Sequence, residues 1–459
     1  MADLAVHTTA IPGLLLVDLP LHHDPRGWFK ENWQRAKMTA LGLPDFGPVQ
    51  HSVAWNSARG VTRGFHAEPW DKFVSVVHGR VCGAWVDLRE GPSFGQVVTL
   101  EMGTDKAVFV PRGVGNAYQT LSDDTVYSYL VNAHWSAAAK QHYTFTNLAL
   151  PGVAWPIPLT DAVISEADEH HPVLADVTPA AAHRPLVVGS AGQVGRALCR
   201  LLPEAVGVDR DELDITDAAS VDAFDFSTTS AIINAAAFTA VDAAEGDSRA
   251  QNWAVNAVGP ANLARAARAH RLPLVHLSSD YVFDGSRTEH DEDEPFSPLG
   301  AYGAAKAAGD LAVAGWQQHY LVRTSWVVGE GHNFVRTMAR LAREGASPAV
   351  VDDQVGRLSF ADDLARGIFH LLEVVAPFGT YNLTGDGTPQ TWFQVAREVY
   401  ALVGSEGQVS ATDTASYGQG RSLAPRPQHS TLTLDKIKAT GFVPRDQADS
   451  LRAYLQDQP

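Results

Sequence analysis

Tyr302 and Lys306 stand four residues apart in PLGAYGAAK, and Ser279 closes an apolar run in HLSSDYVFDG (276–285). On a helix this spacing puts a phenol and an ammonium on one face. Hydride addition to a ketone gathers negative charge on oxygen, which a phenol quenches by giving up its proton. A free phenol, with a pKa of about 10, is a poor donor; a neighbouring ammonium is expected to lower that value, and the Ser279 hydroxyl to orient the carbonyl. The trio suits a reductase that takes hydride from a nicotinamide.

Upstream, PLVVGSAGQVG (185–195) places glycines at 189, 192 and 195 after an apolar run and before a helical stretch. Backbone stripped of side chains there can approach a diphosphate at a helix N-terminus. About 20 residues further on, Asp209 ends the next apolar run, where a carboxylate can bind a ribose 2′-hydroxyl. Arg210 beside it could instead hold a 2′-phosphate, so NADH and NADPH stay open.

A second constellation lies in the first half. GVTRGFHAEPWDKFVSVVHGRV (60–81) carries Arg63, His66 and Lys72, and TVYSYLV (125–131) carries Tyr129. A proton next to a ketone can be removed by one base if the enolate oxygen is stabilised, and inversion then needs a donor on the opposite face. His66 as base, Lys72 near the enolate and Tyr129 as donor suffice without a cofactor. A metal cupin would need a His-x-His pair and a later His; the chain offers His66-Ala67-Glu68 and Asn116, so no metal is expected.

The elements that must position these groups differ between the halves. Short apolar or alternating runs, FVSVV (73–77), VCGAWVDL (81–88), QVVTLE (96–101), AVFV (107–110) and TVYSYLV, are separated by Gly and Pro turns, which predicts an antiparallel barrel or jelly roll. After residue 185, apolar strands alternate with Ala-rich helical stretches such as ANLARAARAH (261–270), the pattern of a doubly wound parallel sheet. Between them EADEHHPVLADVTPAAAHRP is acidic, then rich in Pro and Ala, and has no period. VFVPRGVGNAY (108–118) adds the Pro-x-Gly turn common in cupin jelly rolls, so the expected organisation is a cupin-like jelly-roll domain over 1–165, a linker over 166–184 and a Rossmann-type domain over 185–459.

With 35 basic and 52 acidic residues among 459, the net charge of −17 argues against nucleic acid or an anionic membrane as partner. No apolar run reaches bilayer length, and MADLAVHTTAIPG lacks the features of a signal peptide. The two cysteines, Cys82 and Cys199, make no metal pattern and suit a reducing cytoplasm.

From about 185 onward the sequence resembles the extended short-chain dehydrogenase/reductases, specifically the dTDP-4-dehydrorhamnose reductases. The motifs are GSAGQVG, DIT (214–216), NAAAFTAVDAAE (234–245), SSDYVFDG, YGAAK, RTSWVVG (323–329), DDQVGR (352–357), YNLTG (381–385) and RPQHSTL (426–432). The resemblance implies that Gly192, Gln193, Val194, Asp214, Ile215, Ala235, Ala236 and Ala237 contact the dinucleotide. It implies that Ser279, Asp280 and Trp326 contact the substrate. Ser279 stands where the family usually has Thr, which keeps the hydroxyl.

Residues 10 to 160 resemble the dTDP-4-dehydrorhamnose 3,5-epimerases through DPRGWFKE (24–31), VTRGFH, DKFVSVVHGRV, VDLREGPSFGQ (86–96), FVPRGVGNAYQTLSDD (109–124), YSYL (127–130) and GVAWP (152–156). By position Arg26, Glu31, Gln50 and Arg63 then hold the nucleotide diphosphate sugar, with His66 the base and Tyr129 the acid. Asn116, on the substrate side, replaces the family's His, and Lys140 replaces an acidic residue. The aspartate that orients the histidine falls in FTNLAL, where Asn147 is the nearest candidate, so a less well-held and less basic His66 is expected.

Together the resemblances imply a bifunctional enzyme that inverts C3 and C5 of a dTDP-4-keto-6-deoxy sugar and then reduces C4 with NADPH or NADH, working as a homodimer. The rivals are a reductase for another deoxysugar, an epimerase acting at one carbon, and a first half that only binds and dimerises.

Overall fold

The computed structural model describes residues 3–137, 139–405 and 407–456 and divides into two compact units, Met1–Ala182 and His183–Pro459. The first unit is built from two antiparallel sheets. One has six strands in the order Ala5–Thr8, Leu15–Asp18, Lys106–Val110, Lys72–His78, Thr125–Val131 and Gln50–Asn56. The other has five, in the order Thr144–Thr146, Thr62–Ala67, Val114–Thr120, Val81–Asp87 and Val97–Met102. Val74, Val76, Val108, Trp85, Met102 and Tyr127 pack into one core drawn from both sheets. The predicted runs agree with the observed strands to within one or two residues, because their Gly and Pro turns mark the ends.

The stretch expected to be a linker is largely part of this unit. Ser165 caps the short helix Glu166–Glu169 by accepting from the Asp168 N–H at 3.2 Å, and the Ala180 N–H donates to Leu88 O at 2.7 Å. Acidic, aperiodic composition suggested a linker, but Asp168 is only 5% exposed. The first unit runs on to Ala182.

The second unit centres on a six-stranded parallel sheet ordered Val206–Val208, Arg184–Val188, Thr229–Asn234, Leu274–Ser279, His319–Thr324 and Gly379–Asn382. Val187, Ile233, Val275 and Val322 join one apolar cluster, while Leu186, Ile232, Leu274 and Leu321 join another. Successive residues of a strand therefore serve opposite faces, and helices cover both. The Ala-rich stretches form Gly259–His270 and Ala301–Ala314, whose small side chains allow close helix packing. No helix among the described residues is long and apolar enough to cross a membrane.

Candidate active sites

In the first unit a cavity of about 900 Å³ is lined by Gln50, Arg63, His66, Lys72, Asn116 and Tyr129. His66 lies on Thr62–Ala67 of the five-stranded sheet and Tyr129 on Thr125–Val131 of the six-stranded sheet, so the two come to one cavity from different sheets. His66 Nε2 is 2.8 Å from Asp168 Oδ1, and the Gly64 N–H donates to Asp168 Oδ2 at 3.0 Å. Burial alone would raise the Asp168 carboxyl; the His66 and Gly64 hydrogen bonds overcome it and hold the group at about 2. A Cβ at position 64 would come within 2.6 Å of Asp168 Oδ1, so glycine there is what admits the carboxylate.

The histidine thus has the orienting carboxylate that FTNLAL did not offer. Asn147 donates instead to the backbone oxygens of Glu169 and His171, at 3.3 Å each. Sequence reasoning missed Asp168 because it read the acidic, aperiodic stretch as a linker between the domains. The usable signal was Ser165-Glu-Ala-Asp168, the pattern of a helix N-cap.

Lys72 is buried; its Nζ is 2.9 Å from Glu68 Oε2 and donates to His66 O at 3.4 Å. Burial raises the Tyr129 phenol, with the Glu68 carboxylate adding to the effect and Arg63 opposing it. Arg63 donates to Asn56 Oδ1 at 3.1 Å, and Asn116 Oδ1 accepts from the Tyr127 hydroxyl at 3.2 Å. His171, Glu68, Tyr143 and Lys140 also line the cavity. The donor atoms of His66, Asp168 and His171 lie within 4.8 Å of one another, although Asp168 Oδ1 is already engaged by His66.

Arg26 and Glu31 do not line this cavity. Arg26 sits in the exposed hairpin His22–Asp24/Gly27–Phe29 and pairs with Asp24, while Glu31 pairs with Lys37 at 2.6 Å.

In the second unit a cavity of about 830 Å³ is lined by the candidates the sequence offered there except Gly195, which lies buried in helix Gln193–Leu201, where a Cβ would meet Gly189 O. The lining candidates are Gly189, Gly192, Gln193, Val194, Asp209, Arg210, Asp214, Ile215 and Ala235 to Ala237 from the proposed dinucleotide set, with Ser279, Asp280, Tyr302, Lys306 and Trp326. Gly189 has φ +81°, and a Cβ there would lie 2.6 Å from the Ala236 nitrogen. Gly192 occupies the N-cap position of helix Gln193–Leu201 without a side-chain cap, which leaves amide donors for an anion. Asp209 Oδ2 accepts from Ser190 Oγ at 2.7 Å and from the Ala191 N–H at 3.0 Å. Arg210 donates to Asp214 Oδ2 at 3.1 Å. These residues fit a dinucleotide: bare backbone for the diphosphate, and a carboxylate at the end of the second strand of this unit.

Tyr302 and Lys306 sit one turn apart on Ala301–Ala314 and are almost completely buried. The phenol is not lowered as the sequence suggested. Burial pushes Tyr302 up, the Asp280 charge pushes it further, and only the Ser279 hydroxyl opposes this. Lys306 is itself pushed down to about 8 by burial, against the Asp310 carboxylate. Its Nζ donates to Leu277 O at 2.6 Å. Burial also raises Asp280, to about 6. Trp326 adopts φ +42°, a strained conformation for a large side chain, and its ring stacks on Trp392 at 3.6 Å. Trp392 lines the same cavity and carries no sequence signal.

Comparison with known proteins gives a consistent picture. The family model for the RmlD substrate binding domain matches residues 183–458, and that for dTDP-4-dehydrorhamnose 3,5-epimerase matches residues 8–176. The chain is 50% identical over 176 residues to a Streptococcus pyogenes protein described as an RmlC homolog, covering 37% of this chain and 88% of that one. It is 36% identical over 297 residues to the dTDP-4-dehydrorhamnose reductase of Aggregatibacter actinomycetemcomitans, covering 60% of this chain and 99% of that one. Among solved structures, the dTDP-4-dehydrorhamnose reductase of Bacillus anthracis in complex with NADP is similar with a TM-score of 0.57 at 31% identity, covering 60% of this chain and all of that one.

Proposed function

Because the chain belongs to the dTDP-4-dehydrorhamnose 3,5-epimerase family over its first unit and to the RmlD reductase family over its second, we propose that it carries out two consecutive steps on one sugar nucleotide. The first is epimerisation of dTDP-4-dehydro-6-deoxy-glucose at C3 and C5. The second is reduction of the C4 ketone to a dTDP-L-rhamnose-type product.

In the first unit Asp168 accepts from His66 Nε2–H, so the lone pair of the neutral ring sits on Nδ1, the atom that takes the sugar proton. The ionised carboxylate then stabilises the imidazolium. Tyr129, which burial keeps protonated, is the donor on the other sheet, and Lys72 answers the enolate charge. Arg63, Gln50 and Asn116 orient the sugar nucleotide. The observation that carries this reading is the His66–Asp168 pair in one cavity with Tyr129. It speaks against a passive first unit, which would need no such pair.

In the second unit Gly189, Gly192, Gln193, Val194, Ile215 and Ala235 to Ala237 would hold NADPH or NADH, which supplies hydride when bound. Asp209, with its oxygens turned to Ser190 and Ala191, would meet the adenosine ribose, and Arg210 and Asp214 flank it. Ser279, Asp280 and Trp326 position the sugar, and Tyr302 gives its proton to the C4 oxygen with Lys306 beside it.

We place the activity in the cytoplasm, where unpaired Cys82 and Cys199 stay reduced. The state proposed is a homodimer through the first unit, whose edge strand Gln50–Asn56 shows Val53 and Trp55 to solvent, 57% and 61% exposed.

The test supplies the 4-keto-6-deoxy sugar nucleotide in heavy water. Deuterium should enter C3 and C5 without NAD(P)H, and His66→Ala should abolish it. Tyr302→Phe should remove NAD(P)H oxidation and leave the exchange intact. No exchange in the intact protein overturns the epimerase assignment; full oxidation by Tyr302→Phe overturns the proton donor.

A further inference from the structure

Behind Lys306 lies a buried polar chain for which the proposed mechanism has no use. Asn234 and His276 are both 0% exposed, on neighbouring strands Thr229–Asn234 and Leu274–Ser279. The Asn234 amide has one orientation, because its Oδ1 accepts from the Ala236 N–H at 3.1 Å. Its Nδ2 therefore donates, and His276 Nδ1 receives that bond at 3.0 Å. A neutral imidazole that accepts at Nδ1 carries its proton on Nε2. Burial keeps the ring neutral, well below its ordinary range, and the Lys306 charge adds to this. His276 Nε2 faces Lys306 Nζ at 3.5 Å.

We propose that His276, locked by Asn234, is a positioning residue that shows Lys306 an N–H instead of a lone pair and so governs when this lysine loses its charge. An N–H opposite an ammonium sets donor against donor; opposite a neutral amine it is a hydrogen bond to the amine lone pair. The arrangement favours the amine and works in the same direction as the burial of Lys306.

Other groups around Lys306 define what the histidine works against. Asp310, one turn further along the same helix, favours the charged form; it is itself paired with Arg323 of His319–Thr324 at 3.4 Å. Tyr302 precedes Lys306 by one turn. Ser279 and Asp280, at the end of the His276 strand, close the cavity side. Of these neighbours, only His276 has a tautomer fixed from behind by a third residue.

The consequence concerns pH, and it rests on the reductase reading of Tyr302 and Lys306. On that reading the ammonium is the form that helps the phenol give its proton to the developing alkoxide, so reduction should decline as pH rises through the Lys306 value of about 8. In His276→Gln an amide oxygen can accept from the ammonium, and the alkaline limb should move up by about one pH unit. Tyr302→Phe, assayed alongside, separates the two ideas. If it retains NAD(P)H oxidation, the reductase reading fails; if it is inactive and the His276→Gln limb does not move, only the role of His276 is overturned. Should His276→Gln not fold, nitrogen-15 spectra of the intact protein decide, with the ring assigned through bonds from its own Cβ. A proton on Nε2 supports the proposal, and a proton on Nδ1 overturns it.

Discussion

The pairing of His66 with Asp168 spans 102 residues of sequence, and it changes what the first site can do. Replacing the carboxylate by an amide keeps the shape but can turn the ring over to the wrong tautomer. Asp168→Asn should therefore slow exchange at C3 and C5 by about 100-fold or more, read by NMR, with NAD(P)H oxidation on pre-epimerised substrate unchanged. The pH consequence follows from the depressed carboxyl. Asp168 in the folded protein titrates at about 2, below its ordinary 3.8, so its stabilising contribution is complete above the ordinary value and fades as pH falls from there through about 2. Acid unfolding followed by circular dichroism should show that contribution missing in Asp168→Asn. Placements that depend on near neighbours were legible: Tyr302 and Lys306 share a helical turn, and Gly189 to Gly195 share one strand-to-helix connection. Asp168 was not, because nothing local in EADEHH separates a carboxylate aimed into a cavity from one aimed into water.

Gly64 lies in a strand, where its missing side chain is the space that Asp168 fills. Gly64→Ala should leave the sheets formed yet expel the carboxylate, giving an exchange defect close to that of Asp168→Asn. Ser165→Ala removes the cap of Glu166–Glu169, at a cost of about 1 kcal/mol, and should produce a milder version of the same defect. Gly189→Ala combines a positive φ with a contact of 2.6 Å to backbone, so NAD(P)H binding, measured by fluorescence, should be lost while epimerisation persists. Periodicity revealed most of these elements, since alternation and Ala-rich helices are written into consecutive residues. The helix Glu166–Glu169 escaped because four residues are too few to show a period. Trp392 escaped because its stacking on Trp326 is a meeting between distant parts of the chain.

At the scale of the molecule, each unit contains one complete set of proposed reacting groups. The two activities should then be separable in trans. His66→Ala protein mixed with Tyr302→Phe protein should convert the keto sugar to the reduced product, with a lag while the epimerised intermediate diffuses between molecules. Neither variant alone should reach that product, and chromatography of the sugar nucleotides distinguishes the outcomes. The order of the two functional halves could be read from the displaced glycine motif. Their border could not, because composition marked a change of texture and the packing of 166–182 overrode it.

That packing has a bearing on how such modules can be exchanged. An epimerase module excised at residue 165 would keep every strand of both sheets and still lack the acidic half of its charge pair. Any recombination, natural or engineered, that trades one reductase for another behind this barrel has to cut downstream of Asp168, and Ala182 offers the safe seam.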